Sequence, residues 1–264
     1  MAFANQTNMD WRFFTLVPGR MSLHLPPGFG MPLYSDTPLD FFSMSLNQNV
    51  TDKTVRVRFK NRIEFVRHAD LTSPTRAVFR RALYVLEPIA SSGIEKLGKH
   101  SEASHPGEGC ADPHMEHSLS SPLSETSPSS IGRTATKAGI LEEFGDDVTI
   151  HWLVPPGVHS YTTPVSKQLR LSQPTSLHYA TGHLHPFATA IELYDRTAMK
   201  TVVRLKARDF SDRLGVEQME ELSSTEGILV FPDHEYELRA DYDNRTPKET
   251  DAMAILYLYL AEPQ

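Results

Sequence analysis

The chain has very little cysteine: Cys110 is the single one among 264 residues, so no internal disulfide bond can form. It lacks any run of about eighteen apolar residues, which excludes an ordinary membrane-spanning helix. Neither a Gly-x-Ser-x-Gly motif nor a phosphate-binding glycine loop occurs, which disfavours hydrolase and kinase functions. The net charge of −7 and a pI near 5.9 give no support for nucleic-acid binding.

Turn-forming residues are plentiful by comparison. Nineteen prolines and fourteen glycines argue for many turns and against long helices. The best helix candidate is residues 213–222, and Gly215 weakens it. Residues 10–89 are predicted to be all-β, because apolar and basic residues alternate over residues 55–60. We therefore interpret the basic residues Arg56, Arg58 and Lys60 as the solvent-exposed face of a strand.

The composition changes in the middle of the chain. Residues 91–138 are rich in Ser, Gly and Pro, contain no aromatic residue and show almost no aliphatic periodicity, which predicts a disordered linker or insertion. The linker separates an N-terminal β-sandwich domain, residues 1–90, from a C-terminal one, residues 139–264. The predicted fold class is all-β, with two tandem antiparallel, jelly-roll-like β-sandwiches.

Two segments of the second half carry a candidate metal site. Side chains two residues apart in a strand share a face, so His183 and His185 project together. In the closing strand, Met253 lies on the face opposite a row of Ala and Leu. Two imidazoles and a thioether form a soft donor set that suits copper, especially Cu(I). The simpler interpretation is an exposed histidine pair and a core methionine.

The order of features along residues 148–264 resembles the second domain of the copper type II, ascorbate-dependent monooxygenases, the family of peptidylglycine- and dopamine-hydroxylating enzymes. Four pieces occur in sequence: Leu153-Val154-Pro155-Pro156-Gly157, His183-x-His185, Asp233–Ala240, and Asp251-Ala252-Met253 with the tyrosine-bearing strand that follows. The resemblance implies that His183, His185 and Met253 hold the copper at which oxygen is activated. It also implies that Tyr257 lines the substrate side.

The chain departs from the family pattern at informative positions. Pro186 stands where a further histidine is usual, and Thr181 stands where an arginine grips a peptide carboxylate. We therefore do not expect a carboxylate-terminated peptide as substrate. The electron-donating copper of the family needs three histidines in the first domain, whereas the first half here offers only His24 and His68. Because a second copper is not expected, monooxygenase activity is the minor hypothesis.

Other polar groups near the candidate site are given weaker roles. His151 and His159 flank the Pro155-Pro156-Gly157 turn and could approach the metal only through folding that the sequence does not reveal. Four acidic residues near the closing strand are interpreted as a solvated loop with at most weak calcium binding: Asp241, Asp243, Glu249 and Asp251.

The predicted function is therefore a copper-binding protein with one site. Water, dioxygen or a small-molecule substrate is the expected further ligand, and neither nucleic-acid binding nor a membrane span is expected. If the protein is an enzyme, it is a copper-dependent monooxygenase. The alternative is a metal-free β-sandwich interaction module. The first residues lack a secretory signal, which favours the cytoplasm, whereas the family resemblance implies a secretory compartment.

Overall fold

The computed structural model describes residues 12–39, 41–43, 45, 49, 52–93 and 147–262. Most of the predicted linker, residues 94–138, lies outside the described residues. Regular structure in the described part is nearly all β, and every strand pair except β1 with β2 is antiparallel. The predicted all-β, antiparallel fold class is confirmed.

Fifteen strands and three short helical turns make up the described elements. The strands are β1 Phe29–Gly30, β2 Arg76–Ala77, β3 Phe79–Tyr84, β4 Glu87–Pro88, β5 Val148–Thr149, β6 Trp152–Val154, β7 Gly157–Pro164, β8 Thr175–Leu184, β9 Ala188–Asp195, β10 Lys200–Asp209, β11 Val216–Met219, β12 Glu221–Val230, β13 Tyr236–Asn244, β14 Thr250–Ala252 and β15 Ala254–Ala261. The helical turns are a 3-10 turn, His68–Asp70, α1 Ile89–Ser92 and α2 Ser166–Leu169. Among the described helices, none has the length and hydrophobicity needed to cross a membrane.

Two main sheets form the sandwich. One has five strands in the order β11-β10-β9-β13-β7, and the other has four in the order β12-β8-β15-β3. Residues of β13 alternate strictly between buried and half-buried, as expected for a strand with one face on a core. All eight residues of β15 are buried, so this strand is covered on both faces. The C-terminal strand is thus the most enclosed element of the sandwich.

Strand β3 comes from the predicted N-terminal domain but completes the four-stranded sheet. Its residues pair in register with β15, from Phe79 opposite Leu260 to Tyr84 opposite Ile255. The Gln168 side chain of α2 bonds both main-chain groups of Tyr84. The predicted boundary at residue 90 therefore follows a strand that belongs to the C-terminal sheet. The division of the chain into two sandwiches stays a prediction.

The two faces of β8 have different surroundings. A Cβ atom placed on Gly182 would lie 2.9 Å from Ile191 Cγ2 and 2.9 Å from Met219 Cε, so this position faces the five-stranded sheet. The next residue, His183, points to the opposite face together with its cross-strand neighbour Ile255. The candidate histidines therefore project from the outer face of the four-stranded sheet.

Residues from the N-terminal half approach that outer face. Tyr179 and Tyr259 lie on it as a cross-strand pair, yet both are fully buried, with ring centroids 5.5 Å apart. The Tyr179 hydroxyl donates to Glu221, which also contacts the Arg20 guanidinium at 3.4 Å. A main-chain group of Thr15, from the N-terminal half, lies beside the Tyr259 hydroxyl. Four partly buried apolar residues of that half pack against the hydrophobic core: Leu23, Leu25, Phe29 and Met31. The face that carries the histidines is thus partly closed by the first half of the chain.

Two predictions about local structure were wrong. Residues 213–222 form β11 and the start of β12 instead of a helix. Gly215 adopts a φ of +136°, which a right-handed helix does not allow, and Val216 pairs with Asp209 of β10. Residues 52–67 are assigned no strand, and all of their side chains are exposed. Their alternating pattern is typical of a strand, but no partner strand lies beside it in the described part of the chain.

Candidate metal centre

The backbones of the three predicted ligands lie together where β8 ends and β15 begins. His183 lies opposite Ile255, and Leu184 lies opposite Ala254. One step further, the main-chain N–H of His185 donates to the Met253 carbonyl oxygen at 3.2 Å. Strand pairing therefore places His183, His185 and Met253 at one corner of the four-stranded sheet.

The two histidines share a face, as the sequence predicts. Their ring centroids are 5.5 Å apart and their planes are inclined by 67°. The Nε2 atom of His183 is buried and has no hydrogen-bond partner among the described residues. A buried polar atom without a partner costs about 1–3 kcal/mol. Coordination of a metal ion is one of the few arrangements that would remove this cost.

Asp251 lies between His185 and a third imidazole, His151. Its Oδ2 atom is 2.7 Å from His185 Nδ1, and its Oδ1 atom is 3.1 Å from His151 Nδ1. The rings of His151 and His185 are 5.4 Å apart. Strand pairing creates the contact, because β14 pairs with β6 and thereby sets Asp251 opposite Leu153, two residues after His151. The prediction that Asp251 belongs to a solvated acidic loop was wrong.

The carboxylate of Asp251 remains charged although its side chain is only 9% exposed. Burial alone would raise the pKa of this carboxyl group. The charge and hydrogen bonds of His185 and His151 outweigh that effect and hold the pKa at about 2. Buried charges in proteins are usually paired or bound to metal, and here two imidazoles supply the pairing.

The contacts of Asp251 also fix which ring nitrogens can bind a metal. At 2.7 and 3.1 Å from carboxylate oxygens, the Nδ1 atoms of His185 and His151 are assigned as protonated. When the rings are neutral, their lone pairs are therefore on Nε2. A carboxylate that holds the remote N–H is the usual outer partner of a metal-binding histidine. The ligand atoms of the three side chains lie within 4.8 Å of one another, so the cluster is also compact enough for Asp251 itself to bind an ion.

Two further contacts hold the corner in place. Phe187, in the turn after His185, adopts a left-handed φ of 71°, and its N–H donates to Asp209 Oδ2 at 2.7 Å. Burial raises the pKa of the Asp209 carboxyl group. From the other side, the Tyr242 hydroxyl donates to the Met253 carbonyl oxygen at 2.8 Å. The backbone positions of His185 and Met253 are thus fixed independently of any metal.

Tyr257 occupies a different environment from the one that its predicted role suggests. It lies opposite Thr181, two residues before His183, and is buried. The Arg80 guanidinium carbon lies 4.3 Å from the centroid of its ring. Its proposed place beside a substrate stays a prediction.

The remaining histidines of the second half have other partners. His178 is buried, with Nε2 2.7 Å from Ser176 Oγ and Nδ1 2.8 Å from the Ser224 carbonyl oxygen. His159 contacts the Pro156 carbonyl oxygen through Nε2. His234 contacts Asp195 in the β9–β10 region at 2.7 Å. From the sequence, His151 received only a weak role beside the metal and Asp251 was assigned to a solvated loop, because the contact between them depends on the β6–β14 register.

Compared with known proteins, the chain has no significant match to a family model, a curated protein or a solved structure. The resemblance to the copper monooxygenases therefore stays a prediction. What the structure contributes is the geometry of the corner itself.

Proposed function

We propose that this protein binds a single copper ion at the corner formed by β8, β14 and β15. His183, His185 and Met253 are the proposed ligands, His151 adds a further imidazole, and Asp251 orients the rings. The observation that supports the proposal most strongly is the buried carboxylate of Asp251 between the Nδ1 atoms of His185 and His151.

The donor set fits copper. Imidazole nitrogens suit copper, zinc and iron, and the thioether of Met253, whose carbonyl oxygen accepts a hydrogen bond from the His185 N–H, would favour Cu(I) among them. His183 lies beside the cluster around Asp251, with its ring centroid 5.5 Å from that of His185, and its buried Nε2 has no hydrogen-bond partner among the described residues, so a metal would satisfy it. Carboxylate oxygens alone would favour magnesium or calcium, but only one carboxylate lies in the described cluster.

Bound copper would supply a centre that changes its charge by one electron. The chain's own residues contribute orientation and exclusion of water. Asp251 holds the proton on Nδ1 of His185 and His151, and burial keeps bulk water from both rings, of which His151 is 2% and His185 8% exposed. A well-oriented, water-poor imidazole pair lowers the cost of ordering ligands when the ion binds.

The expected stoichiometry is one copper ion per chain. Within the described residues, the His151, His185 and Asp251 cluster is the single group of three such ligands close enough to share an ion. His24 and His68 of the first half are both exposed. We therefore propose copper binding as the function. Hydroxylation is the alternative, and it would need a second copper site.

Titration of the purified full chain with Cu(I) under reducing conditions tests the proposal. The wild type should bind one tight equivalent, and the double variant His183→Ala, His185→Ala should bind none while keeping its circular dichroism spectrum. His159→Ala is the matched control, because this histidine lies on β7 outside the cluster. Retention of the tight equivalent by the double variant would refute the site. A folded wild type that binds no copper would leave the metal-free interaction module.

A second assay separates binding from catalysis. With ascorbate and oxygen present, we expect the copper-loaded protein to oxidise ascorbate no faster than the same amount of free copper. Turnover above that background, lost in the double variant, would favour the monooxygenase alternative.

A further inference from the structure

The described residues contain a second feature that copper binding does not use, a basic segment defined here as residues 55–67. It carries five basic residues and one acidic residue in a chain whose net charge is −7. Every residue from 52 to 75 is exposed. The basic residues are Arg56, Arg58, Lys60, Arg62 and Arg67.

Apolar side chains alternate with the basic ones in this segment. Val57 is 51% exposed, Ile63 57% and Phe65 81%. The ring of Phe59 contacts that of Phe41, which is itself 62% exposed. Soluble proteins rarely expose a contiguous apolar row of this kind unless it serves an interaction.

The backbone of the segment is open as well. Residues 55–67 are assigned to no helix, turn or strand, and no ladder partner lies beside them in the described part of the chain. Valine, isoleucine and phenylalanine are the residues that pack best on a pleated strand. An exposed segment of such residues without a ladder partner in the described part of the chain is a template for the addition of a partner strand.

The charges identify the kind of partner. Among the described residues, Arg56, Arg58 and Lys60 have no carboxylate partner. Arg62 has only the local Glu64, in a pair whose side chains are 83% and 72% exposed. Pairing of this segment with its own copy would set basic residues opposite basic residues, which destabilises a sheet. An acidic partner would instead form opposite-charge pairs across the strands.

Three anionic partners can be compared. A nucleic acid would neutralise the basic row but leave the apolar row uncovered. A lipid surface would cover the apolar row but leave the main-chain groups of a non-helical segment unsatisfied at the hydrocarbon boundary. A polypeptide strand in which acidic and apolar residues alternate satisfies the charges, the apolar side chains and the backbone together.

We propose that residues 55–67 form a docking strand for an acidic polypeptide segment in which Asp or Glu alternates with apolar residues. The partner adds to this strand edge to edge, with its carboxylates opposite the arginines and its apolar side chains beside Val57 and Phe59. The interaction is independent of the proposed copper site.

Binding of model peptides to the full chain tests the proposal. The probes are a decapeptide of alternating Glu and Val and its Lys–Val counterpart. The test variant reverses four charges, R56E, R58E, K60E and R62E. A control variant reverses four exposed charges of the second half: K200E, K206E, R213E and K248E.

The Glu–Val peptide should bind the wild type and the control variant, and at least tenfold more weakly to the test variant. The test variant should instead bind the Lys–Val peptide. Failure of the wild type to bind the Glu–Val peptide, or equal binding by the test variant, would overturn the proposal. So would binding of phosphatidylserine vesicles or duplex DNA without binding of the peptide, since it would assign the segment to a lipid or nucleic-acid partner.

Discussion

Asp251 shows how one side chain can orient two others. Its two oxygens face different imidazoles, and its main chain continues directly to Ala252 and Met253. A neutral residue of the same shape at this position would keep the packing and lose the charge. Substitution of this residue is therefore the most direct way to separate the stability of the corner from the proposed metal binding.

Replacement of Asp251 by Asn should change how stability depends on pH. The folded carboxyl has a pKa of about 2, against an ordinary value of 3.8. A lowered folded pKa gives stability that is present above pH 4 and is lost as the pH falls towards 2. The wild type should lose about 2 kcal/mol of unfolding free energy over that range. Urea unfolding at a series of pH values should show a flatter profile for the variant, and parallel profiles would contradict the assignment.

The same Asp251→Asn variant should also bind Cu(I) more weakly. Removal of a carboxylate that orients a ligating histidine typically costs about 10–100-fold in metal affinity. Competition against a Cu(I) chelator measures this ratio, with Asp243→Asn as a control, because this half-buried carboxylate of β13 pairs with Arg245 and lies outside the cluster. A loss far beyond 100-fold, with the fold intact, would show that Asp251 is itself a ligand. No change would remove it from the site.

Among the secondary-structure elements, strand β8 packs so closely against the five-stranded sheet that its inner face at Gly182 has no space for a side chain. A Cβ on Gly182 would come within 2.9 Å of Ile191 Cγ2 and Met219 Cε. We expect Gly182→Ala to destabilise the protein by about 1–3 kcal/mol through overpacking. The cost should shrink in a Met219→Ala background, where the obstructing side chain is shorter. A double-mutant cycle by chemical denaturation measures the coupling, and additive costs would contradict this account of the contact.

Elements also show what the sequence can and cannot predict. The alternation in β8 and β15 predicts strands, a shared face for His183 and His185, and the all-β class. The contact between His151 and Asp251 depends on the β6–β14 register. That register joins residues 100 positions apart, so no local sequence pattern predicts the contact. The helix predicted over residues 213–222 failed because pairing with β10 outweighs the weak helical propensity around Gly215. Local pattern thus predicts the faces of strands, and long-range pairing decides which faces meet.

For the whole molecule, strand β3 links the two halves of the chain. Its removal would uncover one edge of β15 and delete buried side chains including Phe79 and Leu83. Each such side chain contributes about 1.5–3 kcal/mol, and native domains are stable by only about 5–15 kcal/mol. A fragment of residues 94–264 should therefore fail to fold cooperatively.

A fragment of residues 76–264 provides the comparison, because it retains β3 and α1. It should show a sigmoidal urea transition, whereas the shorter fragment should show a broad one or precipitate. Cooperative folding of residues 94–264 would mean that the C-terminal sandwich is independent of the first half, as the predicted domain boundary at residue 90 implies.

The long sequence separation between the histidines and the residues that complete the corner has a consequence for biosynthesis. Met253 follows His185 by 68 positions, and Asp251 follows it by 66. At roughly 5–20 residues per second, a ribosome needs several seconds to make the intervening chain. During that time His183 and His185 have neither the Asp251 carboxylate nor the Met253 thioether that the proposal assigns to them. If the proposed copper site is correct, its loading must therefore come after synthesis of the strand that closes the corner, and a nascent chain would compete poorly for the metal.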